Sequence, residues 1–282
     1  MKILKKYFYT KQFGDVLGFN AGVSLSGPPP ITAWCFLLDD VLIDAGIRHL
    51  REPFIHYLED HRPSLLLITH FHEDHSGNAA VIKDKFGTQV YGHPETARKL
   101  KHSFKIRAYQ HLAWGKSDPI EIQHAPTLIH GKNHTFRAIH TPGHSRDHTV
   151  YLEESKGWLF SGDLFVGKKI KFFRSDECLG DQIQSLKNIL NYDFDDLFCA
   201  HRPTMGTGKE VIRNKLDFLV NFYGSVKDLH DKGISTKGII RRLDPANDRF
   251  IKWVTLNNAC FANMVRSALK LAVKETASDL NI

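Results

Sequence analysis

Residues 69–77 read Thr-His-Phe-His-Glu-Asp-His-Ser-Gly and follow directly on the run Ser-Leu-Leu-Leu-Ile. Three imidazoles and two acids within six residues, set at the end of an apolar stretch, are costly to desolvate unless something compensates them. A solvated, histidine-rich turn is the plainer reading, and that cost argues against it. If residues 64–70 form a strand that continues, His70 and His72 point the same way, with Phe71 between them. Asp74 and His75 then follow in a turn. Nitrogen and oxygen donors grouped in this way suit zinc, iron or manganese. One local cluster does not complete a metal site, so the fold has to bring further donors to the same place.

The chain around this cluster alternates strand-like and helix-like segments. Strands are predicted at 33–40, 41–46, 64–70 and 88–93, each apolar or β-rich and closed by turn residues. Further strands are predicted at about 104–109, 119–124, 135–141, 148–153, 157–162 and 195–201. Helices are expected at 51–60 and 76–86, the second capped by Ser76, and at about 181–191. From residue 208 onward the period changes. Ile212, Leu216, Leu219, Tyr223, Val226 and Leu229 recur at spacings of three or four, which predicts a helix. A short helix near 235–242, a turn at 243–248 and a longer helix over about 250–274 complete the chain. Sheets with helices outside them are the expected class, an α/β layered domain over 1–207 followed by a helical extension over 208–282.

Distant donors stand where apolar runs give way to loops: His144 after the Pro-Gly of 138–148, Asp163 after the Gly of 159–165, and His201 at the end of 197–201. Such positions aim side chains into a common cleft. Taken in order, Asp44 in LIDAG, then THFHEDHSG, HTPGHS, SGDLF and His201 resemble the five motifs of the metallo-β-lactamase superfamily, across residues 31–203. Two departures stand out. Ala-His-Arg-Pro replaces the Gly-His-Gly that many relatives carry at the last histidine, and GHSRDH continues with Asp147 and His148.

The resemblance implies a four-layer αββα sandwich with two divalent metal ions at one edge, zinc first and iron or manganese as alternatives. It implies that His70, His72 and His144 hold one metal, that Asp74, His75 and His201 hold the other, and that Asp163 bridges them. Asp44 would hydrogen-bond the ligands without touching metal, and a purely structural turn role is its alternative. Asp74 would serve catalysis beside a metal-bound hydroxide, the nucleophile that such a pair generates at neutral pH. His140 is expected to support the ligands from behind or to be structural, rather than to bind metal.

Charge and cysteine usage narrow the partners. The formal charge is +7, of which residues 202–282 supply +6, whereas 16 of the 17 histidines fall at or before His201. Imidazole chemistry therefore belongs to the first 201 residues and a basic surface to the rest. Lys168, Lys169, Lys171 and Arg174 surround Phe172 and Phe173, a pattern suited to an anionic small-molecule substrate, with RNA as the alternative. His148 is a further candidate substrate contact. The helical tail resembles those of the glyoxalase II-like and endoribonuclease-like branches; glyoxalase II binds a glutathione thioester. The expected function is hydrolysis of an ester or thioester. A metal-dependent nuclease and a noncatalytic scaffold are the alternatives. No apolar window approaches the length of a membrane span or a signal peptide. Four well-separated cysteines read as reduced thiols, so the expected location is the cytoplasm, with no membrane partner. Oligomeric state is not legible.

Overall fold

The computed structural model describes residues 4–170, 172–244 and 249–279. They divide into two compact units: residues 4–140, 146–166 and 193–209 lie in one, and residues 141–145, 167–170, 172–192, 210–244 and 249–279 in the other.

The first unit contains a seven-stranded mixed sheet whose spatial order follows the chain. Its strands are β1 (Lys5–Phe13), β2 (Val16–Ser24), β3 (Ala33–Leu38), β4 (Val41–Ile43), β5 (Leu65–Leu67), β6 (Gln89–Gly92) and β7 (Gln123–His124). β1 to β4 pair antiparallel, and β4 to β7 pair parallel. The parallel connections carry helices: α1 (Arg51–Leu58), then α2 (Glu73–Ser76) and α3 (Ala79–Phe86), then α4 (Pro94–Leu100) and α5 (Ala108–Ala113).

The second sheet has the order β13-β11-β10-β9-β8. Its strands are β8 (Leu128–His130), β9 (Thr135–His140), β10 (Thr149–Glu153), β11 (Trp158–Gly162) and β13 (Asp196–Cys199). β11 and β13 run parallel, with a register shift beside Gly162.

The pleat of the strands sorts side chains between two cores. Phe36, Leu38, Ile43, Leu65 and Leu67 pack with Ile129, Phe136, Tyr151, Phe160 and Phe198 between the sheets. The alternate residues Cys35, Leu37, Leu42 and Leu66 face the other way, onto Phe54, Ile55 and Leu58 of α1 and Ala79 and Ile82 of α3. Period-2 alternation in apolar runs buried on both faces accounts for this division.

The second unit pairs β12 (Phe173–Arg174) with β14 (Ala259–Cys260) and adds helices α6 (Leu179–Ile189), α8 (Thr236–Leu243), α9 (Arg249–Val254) and α10 (Phe261–Asp279). α7 (Gly208–Asp231) opens at the end of the first unit and runs on into the second. α10 packs with α6, α8 and β12. The expected α/β class and C-terminal helices are both present.

Several local expectations differ. Residues 104–109 form no strand. The Gln110 side chain accepts the Arg107 backbone N–H at 2.8 Å and starts α5 instead. Ser76 caps no helix; it closes α2, its hydroxyl donating to the Phe71 and His72 carbonyls at 2.9 and 3.0 Å, and α3 starts after Asn78. The helix expected over 250–274 is two helices, because Leu256 and Asn257 adopt positive φ, +50° and +63°, and turn the chain. The turn expected at 243–248 lies outside the described residues from 245 to 248. The sequence predicts no strand where β1, β2, β8, β12 and β14 form.

Candidate metal centre

Four strand ends of the first unit carry Asp44 and the expected donors other than His144. Asp44 follows β4, residues 69–75 follow β5, Asp163 follows β11 and His201 lies two residues beyond β13. Loops beyond the carboxyl ends of parallel strands are where α/β folds place ligands.

Asp44 is the hub beneath the histidines. Its φ is +62°, the left-handed region that Asp tolerates better than most residues. Its Oδ1 accepts the Thr69 backbone N–H at 2.8 Å, and its Oδ2 meets the Nδ1 of His75 at 2.7 Å. The Thr69 hydroxyl lies within 3.0 Å of both carboxylate oxygens. Fixing Nδ1 of His75 in this way turns its Nε2 toward the acids, which is how a partner behind an imidazole sets tautomer and direction. The sequence assigns Thr69 no role; its signal is a short hydroxyl residue immediately before the first histidine.

Beyond this hub, His75 Nε2 lies 3.5 Å from Asp163 Oδ1 and 3.7 Å from Asp74 Oδ2. His201 Nε2 lies 3.2 Å from Asp163 Oδ1 and 3.8 Å from Asp74 Oδ2. The Nδ1 of His201 is anchored on the Thr32 carbonyl at 2.7 Å. His70 Nε2 and His72 Nδ1 approach to 2.7 Å. Within the first unit, His70, His75 and Asp163 form one group of donor atoms lying within 4.8 Å of one another, and Asp74, His75 and His201 form a second. Backbone space is equally tight. Gly162 has φ +46°, and a Cβ there would sit 2.8 Å from the Thr69 hydroxyl and 2.9 Å from His148 Nε2.

The donor set fits a cation. His75 Nε2 is buried and has no hydrogen-bond partner, yet it faces two carboxylates. Without metal, protons do the neutralising. Burial disfavours imidazolium at His75, but Asp44, Asp74 and Asp163 outweigh it and hold His75 well above the ordinary histidine range. Burial likewise opposes charge on His201, and Asp163 and Asp74 push it up to about 9. Burial raises Asp74, as does Asp163, against the pull of His75 and His201. Divalent cations would take over this neutralisation and release the protons.

The other expected residues are placed as follows. His144 belongs to the second unit, where its Nδ1 lies 3.7 Å from Glu177 Oε1. His148 is fully buried, and its Nε2 accepts the Asp163 backbone N–H at 3.0 Å, so it holds the Asp163 backbone from behind. His140 is exposed and stacks on His93 at 4.3 Å. Lys168 and Lys169 are exposed. Arg174 closes on Asp176 through Nε and Nη2, at 3.1 and 3.2 Å. Lys171 lies outside the described residues. Among the described residues, no helix is long and apolar enough to cross a membrane.

Residues 29–201 match the family model of the metallo-beta-lactamase superfamily. The chain belongs to this superfamily. The metallo-beta-lactamase fold is also that of a Burkholderia ambifaria beta-lactamase domain protein, whose crystal structure superposes with TM-score 0.68 over 93% of this chain and 88% of that one, at 18% identity. A Drosophila melanogaster beta-lactamase-like protein 2 homolog is 30% identical over 191 residues, 64% of this chain and 59% of its own length. The chain thus spans less than two thirds of that relative. A hydroxyacylglutathione hydrolase of Salmonella gallinarum is 29% identical over 219 residues, 75% of this chain and 77% of its own length.

Proposed function

We propose that the protein is a metal-dependent hydrolase acting on an ester or thioester of a small anionic molecule. The carrying observation is the pair of donor groups that share His75, buried among Asp44, Asp74 and Asp163. In this reading two divalent cations, zinc first and iron or manganese as alternatives, would be held by His70, His72, Asp74, His75, His144, Asp163 and His201. His144 enters on the strength of its motif. Cations bound there would lower the pKa of a water toward about 7 and so supply hydroxide at neutral pH.

The chain's own residues do the rest. Asp44 and the Thr32 carbonyl fix the rings of His75 and His201. Asp74, whose carboxyl is pushed up by burial, takes the proton of the attacking water and returns it to the leaving group. Burial of the acids excludes bulk solvent, so their charges act at short range in a low-dielectric setting. The Lys99 ammonium stands 3.4 Å above the Phe71 ring, with Phe104 edge-on to the same ring at 5.4 Å, a basic and aromatic border beside His72 that suits an anionic acyl group. The likeness to a hydroxyacylglutathione hydrolase favours the thioester, and four free cysteines favour a reducing cytoplasm.

The test is elemental analysis of protein purified without chelator, with turnover measured on S-acylglutathione and acyl-coenzyme A thioesters, aryl esters and labelled RNA. Stoichiometric metal and chelator-sensitive thioester hydrolysis are expected. Metal-dependent RNA cleavage with no ester turnover would replace this reading by a nuclease. Absence of both metal and turnover would leave a noncatalytic scaffold.

A further inference from the structure

Asp147 stands outside the donor set but is fully buried. Its Oδ2 accepts two hydrogen bonds, from the Phe71 backbone N–H at 2.9 Å and from the Thr96 hydroxyl at 2.7 Å. Its Oδ1 is buried with no hydrogen-bond partner. A carboxylate in that state is costly to bury, so the fold tolerates it for what Oδ2 does.

Phe71 is the residue between His70 and His72, and it lies beyond the last ladder residue of β5, Leu67. The loop therefore lacks strand pairing where the two imidazoles project, and acids take the place of the ladder. Asp44 accepts the Thr69 N–H, and Asp147 accepts the Phe71 N–H. Through Thr96, Asp147 ties this loop to the first turns of α4, which is itself seated after β6. One carboxylate oxygen thus connects the backbone between two donor histidines to a helix that carries no donor.

We infer that Asp147 is a positioning residue for the metal site. By holding the Phe71 N–H it sets the backbone from which His70 and His72 present their nitrogens, 2.7 Å apart in this structure. The inference rests on the proposed reading that these histidines bind a cation. Groups that orient ligands without touching metal influence affinity about as strongly as 10- to 100-fold.

The test compares Asp147→Ala, Asp147→Asn and Thr96→Val with the unaltered protein. Zinc affinity is read by chelator competition, and melting temperature is read with and without metal. Asp147→Ala is expected to weaken zinc about 10- to 100-fold. Asp147→Asn is expected to stay within about threefold, because its side-chain carbonyl can accept the same two hydrogen bonds. Thr96→Val, which loosens only the helix end of the link, is expected to fall between them. A merely structural role would lower the melting temperature of stripped and loaded protein equally and leave zinc affinity unchanged, which overturns the inference. Equal losses in the Asn and Ala variants overturn it as well, since charge rather than the tether would then matter. Should Asp147→Ala fail to fold, unchanged zinc affinity in Thr96→Val is decisive against it. An unaltered protein that takes up no zinc, iron or manganese sinks the metal-site reading itself, a separate and earlier failure.

Discussion

Two stretches of this chain crowd charge into a few residues, and they end in opposite environments. Between His70 and His75 every titratable side chain is buried, and those of Asp74 and His75 are shifted by burial and by one another. In residues 167–174, Lys168 and Lys169 stand in solvent, and Arg174 pairs with Asp176 two residues away. The basic side chains Lys237, Arg241 and Arg242 of α8 are likewise exposed around the single buried Ile239. Solvated charges cost little and pairs between them contribute at most about 1 kcal/mol, so crowding there constrains almost nothing. Buried charges must be compensated at several kcal/mol each, so crowding there dictates what else is present.

The sharpest test of that contrast is to remove one donor from each stretch. His75→Ala, or chelation of the metal, is expected to lower kcat/KM by about a thousandfold or more, the scale of several kcal/mol of lost polarisation. Lys168→Ala is expected to leave kcat unchanged. Comparable losses from the two substitutions, in steady-state hydrolysis of one thioester, would erase the distinction.

Next in size is Asp44→Asn. Asn also tolerates the left-handed backbone that Asp44 occupies, at φ +62°, so the turn is kept while the carboxylate facing His75 is lost. Metal affinity is expected to fall about 10- to 100-fold by chelator competition. A fall in melting temperature with affinity intact would mean that Asp44 serves the turn alone.

Smaller again is a pH effect on metal-stripped protein. The pKa of His201 is raised to about 9 from an ordinary value near 6.5. A raised pKa means that the folded state holds the proton more tightly, so its stabilisation is complete below about 6.5 and is lost as pH rises through about 9. Metal-stripped protein should therefore be less stable at pH 9.5 than at pH 7, by on the order of 3 kcal/mol at most, and melt at a lower temperature. Zinc affinity should rise over the same range, because binding no longer has to displace the proton. A melting temperature independent of pH in the stripped protein would place His201 away from its carboxylates.

The candidate donors stand out in the sequence because each follows the point where an apolar run stops, and loops after strand ends are where this fold places ligands. The first-sheet strands from β3 to β6 were legible for the same reason. β1 and β2 were not. β1 is largely exposed and mixes lysine with aromatics, and the buried face of β2 is interrupted by Gly18 and Gly22, so neither presents an apolar run. The segment 104–109 misled through the alternation of Phe104 and Ile106, where Gln110 starts a helix by a side-chain contact that no periodicity displays. The break between α9 and α10 contains neither Gly nor Pro. It is set by Leu256 and Asn257 in left-handed conformations and by Thr255 Oγ1, which accepts the Ala259 N–H at 3.1 Å. His148 and Asp147 could be seen, but what they touch, the Asp163 and Phe71 backbone amides, depends on tertiary contact.

The smallest expected effect bears on the solvated stretch, where it decides whether exposure means idleness. Lys168 and Lys169 sit in high dielectric, so either one acting on a substrate anion can contribute only a fraction of a kcal/mol. Replacing both by Ala is therefore expected to raise KM for an anionic thioester about two- to threefold and to leave a neutral thioester unchanged. Because the Debye length is about 10 Å at 0.1 M salt and about 3 Å at 1 M, the difference should disappear as salt is raised. A loss shared by neutral and anionic substrates would point to the local fold rather than to charge. No loss at all would make the lysines solvated surface and return the anion to the border of Lys99 and Phe71, where the ammonium is held 3.4 Å above a ring and is less free to be screened.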